Sequence, residues 1–150
     1  MKKNRIMALV LAVVMLSMVM VSCNKAEKVS VKATVSLVVD GETKFGPFEV
    51  TSEGTVDAAP TVLQAVNEAL ILNEIASEND GMGLTSVTLD GTVYAKGSDD
   101  VNIYSWYYTV NGAEPKAGRA GNNALVEGDE IVYIFEVRPI DPEDITPVNE

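Results

Sequence analysis

Few residues of this chain could take part in chemistry, and one common type is missing. The 150 residues include no histidine, which removes the commonest metal ligand and the usual general base at neutral pH. Cys23 is the only cysteine, so an internal disulfide is excluded. Neither a Gly-x-Ser-x-Gly elbow nor a phosphate-binding glycine loop occurs in the sequence. We therefore expect no catalytic residues and no enzymatic activity.

Charged residues point away from nucleic acid and offer little for a metal. The formal net charge of −11 repels phosphate backbones, so we expect no nucleic-acid partner. Asp99, Asp100 and Asn102 could ligate calcium through their oxygens, but they lack the spacing and the glycine of an EF-hand loop. A solvated loop is the simpler interpretation, and we predict no metal site.

The aromatic stretch 104–112 organises the rest of the chain. It holds the single tryptophan and three of the five tyrosines. In a strand, Tyr104, Trp106 and Tyr108 share one face and Tyr107 lies on the other. A core position is the favoured interpretation for Trp106 and Tyr108, with a ligand platform as the alternative. Tyr107 is the better candidate for an exposed contact.

A second candidate for recognition is the loop 118–123, which combines a cation with amide side chains on a glycine-rich backbone. A plain connecting loop is the alternative interpretation. Six residues of the aromatic strand, its turn and this loop could contact a ligand. We take them as the candidate ligand-binding residues: Tyr104, Trp106, Tyr107, Asn111, Arg119 and Asn122.

The N-terminal segment has the layout of a secretory signal. Residues 1–5 are basic, residues 6–21 are almost wholly apolar, and a small residue precedes Cys23. The sequence Met20-Val21-Ser22-Cys23 resembles a bacterial lipobox. The resemblance implies a signal helix over 1–22 that is removed, lipidation of Cys23 and a short tether over 23–28. An uncleaved membrane anchor is the alternative. Either interpretation places the protein at the cell membrane or the outer cell surface, outside the cytoplasm.

Residue patterns predict strands around one helix. Alternation over 29–39 predicts a strand, Asp40-Gly41 predicts a hairpin turn, and 43–50 predicts an edge or bulged strand because Pro47 cannot donate to a ladder. A polar loop follows over 51–60. Thr61 and Gln64 form a candidate capping box. The helix that they open should fade over 77–80 and stop at Gly81.

The remaining segments predict more strands and a terminal tail. Residues 84–94 predict a hairpin or an extended stretch bent at Asp90-Gly91. The aromatic strand follows, and a Gly128-Asp129 turn leads into a strand over 131–137. Residues 139–150 are acidic and proline-rich, and we expect them to be disordered.

This order of elements predicts an α+β fold with one main helix packed on one face of a mixed sheet. The β-grasp-like arrangement is the simplest that fits, with the first and last strands paired in parallel at the centre. We assign this domain to residues 29–138.

Four segments resemble one bacterial module in order and spacing: 61–66 (TVLQAV), 87–91 (VTLDG), 105–112 (SWYYTVNG) and 128–131 (GDEI). That module looks like the C-terminal β-domain of transcobalamin and intrinsic factor. The resemblance implies a β-grasp-like domain that caps a corrinoid such as cobalamin, together with a helical-barrel or transporter partner. This chain itself encodes no helical barrel. A surface module that binds a protein or a glycan through the edge strand 43–50 is the alternative function.

Overall fold

A computed structural model describes residues 26–115 and 118–141. The predicted signal helix, Cys23 and most of the predicted tail lie outside these residues. The elements run in this order: β1 (Lys28–Val39), β2 (Glu42–Thr55), α1 (Val62–Leu72), β3 (Ser77–Asn79), β4 (Leu84–Leu89), β5 (Thr92–Ala95), β6 (Gly97–Ser98), β7 (Asn102–Val110), a short 3₁₀ turn (Ala120–Asn122) and β8 (Asp129–Pro139). Across the described residues, no helix has the length and apolar character that crossing a bilayer requires.

The predicted α+β fold is confirmed. A five-stranded sheet has the order β2-β1-β8-β7-β6, and a second sheet has the order β3-β4-β5. As predicted, the first and last strands pair in parallel near the centre of the larger sheet, with Val35 opposite Ile131. The alternation in β1 places Val31, Val35 and Leu37 in the core, where each is at most 7 % exposed. Period-two patterning was therefore a reliable guide to the inner face.

Strand β2 is an edge strand with register shifts opposite Leu37, as the proline in its middle predicted. The predicted polar loop over 51–60 is wrong in its first half, because pairing with β1 continues to Thr55. Burial explains the extension, since the Ser52 side chain is fully buried and its hydroxyl donates to Glu68 of α1. Residues 51–55 resemble a loop because most of them are polar, but they form a strand whose buried residue, Ser52, has a hydrogen-bond partner.

Thr61 caps α1 as predicted, because its hydroxyl accepts the backbone N–H of Gln64 at 3.2 Å. The second hydrogen bond of the predicted capping box, between the Gln64 side chain and the Thr61 backbone N–H, is wrong. The Gln64 side chain donates instead to the Glu53 carbonyl oxygen and to Glu68, both at 3.0 Å. The helix therefore uses this side chain to hold β2 as well as its own first turns.

The predicted end of the helix near Gly81 is also wrong, because α1 stops at Leu72. Asn73 donates from its side chain to the Ala69 carbonyl oxygen, and Glu74 adopts a left-handed backbone with φ of 57°. The backbone N–H of Ile75 then returns to the Leu70 carbonyl oxygen at 2.9 Å, a helix stop that usually relies on glycine. Residues 77–79 are consequently the strand β3 rather than a fading helix.

The hairpin predicted at Asp90-Gly91 is confirmed as β4 and β5, with positive φ at both turn residues. It forms the smaller sheet with β3 and contacts the inner face of the larger sheet through Tyr94, whose ring meets Phe135 edge-on at 5.4 Å. Helix α1 contacts β1, β2 and the 3₁₀ turn. The helix thus covers one half of the inner face, the helix half, and the hairpin covers the other, the hairpin half.

Candidate functional site

An open cavity of about 400 Å³ lies at the hairpin side of the larger sheet. Its lining comes from the turn after β3, the end of β5, strand β7, the loop before and within the 3₁₀ turn, and strand β8. The lining residues are Asp80, Met82, Gly83, Leu84, Lys96, Trp106, Tyr107, Tyr108, Glu114, Pro115, Gly118, Arg119, Ala120 and Tyr133.

Two stacked tyrosines form the buried part of this lining. The rings of Tyr108 and Tyr133 lie 5.2 Å apart and within 16° of parallel, and their side chains are 6 % and 1 % exposed. Neither buried hydroxyl has a hydrogen-bond partner among the described residues. A buried hydroxyl without a partner costs about 1–3 kcal/mol, so each of these two phenols lowers the stability of the folded chain.

Burial raises the pKa of both phenols, and that of Tyr133 the more. The side chain of Asn123 beside Tyr108 and the backbone of Leu84 beside Tyr133 oppose these shifts in part, without reaching hydrogen-bond geometry. Both hydroxyls are therefore protonated at neutral pH.

Trp106 and Tyr107 add an aromatic wall. The indole N–H of Trp106 donates to the Tyr94 carbonyl oxygen at 3.0 Å, and the ring lies 5.0 Å from that of Phe135. This bond connects β7 to the hairpin and fixes the orientation of the indole. Tyr107 is 41 % exposed, as expected for the opposite face of the strand. Such a wall suits the apolar surface of a ligand.

Gly83 lies beside the buried Tyr133 hydroxyl. A Cβ built on Gly83 would lie 3.9 Å from that oxygen, so a larger side chain would extend toward it. The backbone N–H groups of Met82 and Gly83 both donate to an Asp80 carboxylate oxygen at 2.9 Å, which fixes the turn and lowers the pKa of Asp80. A compact turn therefore borders the buried hydroxyls.

The loop that carries Arg119 is anchored on both sides. The Gly121 N–H donates to the Met82 carbonyl oxygen at 3.0 Å, and the Val62 N–H donates to the Asn123 carbonyl oxygen at 2.9 Å. Arg119 and Lys96 supply two cations to the cavity, and Asp80 and Glu114 supply two anions. Among the described residues, the lining thus carries as many cations as anions, although the whole chain is strongly acidic.

The structure brings three of the six predicted site residues together, since Trp106, Tyr107 and Arg119 all line the cavity. Tyr104 is outside the lining and donates its hydroxyl to Asp99 at 2.6 Å. Asn111 holds the turn after β7, where it donates to Asp129 and accepts the Glu130 N–H, each at 2.9 Å. Asn122 is exposed on the 3₁₀ turn and does not line the cavity. These contacts give Tyr104 and Asn111 structural roles.

Sequence reasoning did not place the two stacked tyrosines beside a cavity. Tyr133 lies between Ile131 and Phe135 in a core alternation, and Tyr108 shares its face with Trp106, so both were assigned to packing. A signal was present, because a phenol at a core position carries a hydroxyl that needs a partner. Neither Lys96 nor Gly83 could be identified from its residue type. The turn that contains Gly83 and the end of β5 beside Lys96 meet the sheet only through tertiary packing.

The loop containing Asp99 is a solvated turn. An Asp99 carboxylate oxygen accepts the backbone N–H groups of Val101 and Asn102 at 2.8 and 2.7 Å. Within residues 26–115 and 118–141, no three or more acidic, histidine or cysteine side chains are grouped to hold a metal ion.

No family model matches the chain, and no curated protein matches it either. Among solved structures, it is similar to haptocorrin in complex with Cbi, with a TM-score of 0.45 and 15 % identity over 72 % of this chain. It is also similar to a candidate metal-binding protein from Ruminococcus gnavus, with a TM-score of 0.37 and 22 % identity over 71 % of this chain and 96 % of that one. The match spans about a quarter, 25 %, of the haptocorrin chain. Scores and identities this low carry no ligand or activity over to this chain.

Proposed function

We propose that this protein binds a small molecule in the cavity bordered by Trp106, Tyr108, Tyr133 and Arg119. The observation that carries the proposal is an open cavity in which the aromatic wall of Trp106 and Tyr107 meets the charged side chain of Arg119. Aromatic walls with a few convergent polar groups are typical of ligand sites, and a volume of about 400 Å³ lies within the range of small-molecule pockets. No catalytic constellation accompanies these groups, so we propose binding without chemistry.

A corrinoid is the first ligand to test, because the motifs of the aromatic strand and its neighbours resemble the transcobalamin β-domain. A corrin ring with its amide side chains is larger than this cavity, so much of the ligand would stay outside. The exposed side chain of Tyr107 and the cations Lys96 and Arg119 suit amide oxygens of its rim. A helical-barrel or transporter partner would cover the remaining surface, and we propose that this chain alone binds a corrinoid weakly.

The proposed setting is the outside of the cell membrane. The lipobox-like segment supports lipidation at Cys23, with the signal peptide over 1–22, a tether over 23–28, the binding domain over 29–138 and the tail over 139–150. Two lipid chains or more would anchor the protein stably, whereas one chain binds only marginally. The lipoprotein would then hold its ligand close to the membrane for uptake.

Isothermal calorimetry on the full chain in detergent, with cobinamide and cobalamin as titrants, tests this function. We expect micromolar binding that Tyr107→Phe weakens about tenfold, as expected for one lost hydrogen bond. Tyr104→Phe is the matched control, because it removes a tyrosine hydroxyl outside the cavity. Absence of heat at high micromolar corrinoid would overturn the corrinoid assignment.

The broader proposal has its own test. The single tryptophan lines the cavity, so quenching of its fluorescence in a fragment screen reports binding there. Fragments that carry a carboxamide on an aromatic ring are expected among the hits, and Gly83→Leu should remove them by filling the space beside Tyr133. A screen whose hits all survive that substitution would contradict ligand binding in this cavity.

A further inference from the structure

The turn after β7 contains the only Asn-Gly pair of the sequence, Asn111-Gly112. In such a pair the backbone nitrogen of the glycine can attack the side-chain amide carbon of the asparagine, because glycine has no Cβ to hinder the approach. A bond from that nitrogen to Cγ forms, the bond from Cγ to Nδ2 breaks, and ammonia leaves with the proton of the glycine nitrogen. Water then opens the cyclic imide to aspartate or to isoaspartate, in which the main chain runs through the side chain.

The folded chain holds Asn111 against the start of β8 through three hydrogen bonds. Its Nδ2 donates to Asp129 Oδ1 and its Oδ1 accepts the Glu130 N–H, each at 2.9 Å. Its backbone N–H donates to the Glu130 carbonyl oxygen at 2.8 Å. The imide ring forms only if Cγ moves onto the Gly112 nitrogen. Because both polar atoms on Cγ are held by β8, that movement requires these hydrogen bonds to open.

Asp129 is the partner that the reaction product would no longer satisfy. Its side chain is only 6 % exposed, and its second oxygen, Oδ2, accepts the Val126 N–H at 2.9 Å. The hydrogen bond between Asn111 and Asp129 therefore joins the end of β7 to β8 and to the loop before it. An aspartate at position 111 would place a second carboxylate beside a buried one, and like charges at that distance repel strongly. Isoaspartate would also add a carbon to the main chain and displace the turn.

We propose that Asn111-Gly112 is a self-modification site, which deamidates only while this corner of the sheet is open and then keeps it open. A brief opening is thereby converted into a permanent one, because the product lacks the Nδ2 donor that Asp129 accepts in the folded chain. The inference does not depend on ligand binding. It does affect the cavity, since Glu114 and Pro115 follow the turn directly and line the cavity.

The first experiment measures the reaction in the folded and the unfolded chain. The full chain in detergent is incubated in mildly alkaline buffer with and without guanidinium chloride, and peptide mass spectrometry locates and quantifies deamidation. We expect the rate at Asn111 to be at least about tenfold lower in the folded chain, since several hydrogen bonds must open first. Asp129→Ala, which removes one of these bonds, should raise the folded-state rate toward that of the unfolded chain.

The second experiment tests whether charge keeps the corner open. Asn111→Asp reproduces the product, and Asn111→Gly is the matched control, because it removes the same side-chain hydrogen bonds without adding a charge and tolerates the positive φ of 54°. We expect the urea midpoint to fall at least about twofold further in Asn111→Asp than in the control. Combining Asn111→Asp with Asp129→Asn exchanges carboxamide and carboxylate, so a donor again faces an acceptor and most of the lost midpoint should return.

Either experiment can overturn the proposal. Equal deamidation rates with and without denaturant would show that the folded corner does not protect Asn111. Equal urea midpoints for Asn111→Asp and Asn111→Gly, or no recovery in the exchanged pair, would show that charge does not keep the corner open. If Asn111→Asp alone fails to fold, folding of the exchanged pair supports the charge argument, and failure of both while Asn111→Gly folds contradicts it.

Discussion

The two halves of the inner sheet face are packed in different ways. On the helix half, Val35, Leu37, Val66 and Leu70 are all fully buried and carry no polar side-chain atom. On the hairpin half, the buried residues include Tyr108 and Tyr133, and beside them lies the open cavity. The first half is closed by aliphatic packing, whereas the second contains two buried hydroxyls that have no partner among the described residues.

The difference follows from the covering elements. A helix presents a continuous apolar stripe, so α1 fills the space over β1 and β2 with aliphatic side chains. The β4-β5 hairpin is short, and it contributes Leu84, Val87 and Leu89 to the core, with Tyr94 packed against them. The space that remains is bordered by aromatic residues of β7. Stability should therefore come chiefly from the helix half and ligand binding from the hairpin half.

The largest expected effect tests the helix half. Leu70→Ala removes a fully buried side chain and should lower the free energy of unfolding by about 2–5 kcal/mol. Chemical denaturation measures this loss. Ile71→Ala on the same helix is the control, because Ile71 is 72 % exposed and its loss should cost less than about 0.5 kcal/mol. Equal effects at the two positions would contradict the packing of this half.

The helix half was also the more predictable one. Alternating valines in β1 and the helical spacing of Val66 and Leu70 encode burial directly, so the inner face of β1 and the start of α1 followed from local patterns. The parallel pairing of the first and last strands followed from the order of the elements. The helix end could not be predicted, because Glu74 takes a left-handed conformation that its residue type does not favour.

The cavity was harder to foresee for a related reason. Trp106, Tyr107 and Arg119 could be selected as exposed or adaptable side chains, but the cavity forms where the turn at Gly83, the end of β5 and strand β8 meet. Such contacts depend on tertiary packing, which no local pattern encodes. Asn111 shows the opposite error. It was predicted to contact a ligand, but its amide forms hydrogen bonds that hold the turn itself.

Alkaline pH should weaken the hairpin half in particular. Burial raises the pKa of Tyr108 and Tyr133 in the folded chain, whereas tyrosines of the unfolded chain ionise near pH 10. The unfolded state therefore loses protons first, and the free energy of unfolding falls as the pH rises above about 10.

Urea unfolding at about pH 8 and pH 11 measures that fall, and phenolate absorbance follows the ionisation itself. Tyr133→Phe should flatten the dependence, and Tyr107→Phe, which removes an exposed hydroxyl, serves as the matched control. A dependence that is as steep in Tyr133→Phe as in the parent chain would contradict the buried, unpartnered phenol.

The smallest effect concerns the border of the hairpin half, where Tyr104 donates to Asp99. This bond and two backbone N–H groups lower the pKa of Asp99 below its usual value of 3.8. Tyr104→Phe should raise that pKa, as measured by NMR titration of the carboxylate, while the backbone N–H groups keep it below 3.8. Because the folded pKa is lowered, the stability from this bond is present above about pH 4 and is lost as the pH falls through the folded pKa. Tyr108→Phe should leave the Asp99 titration unchanged, since its hydroxyl belongs to the cavity, and a shift there would mean that border and cavity are coupled.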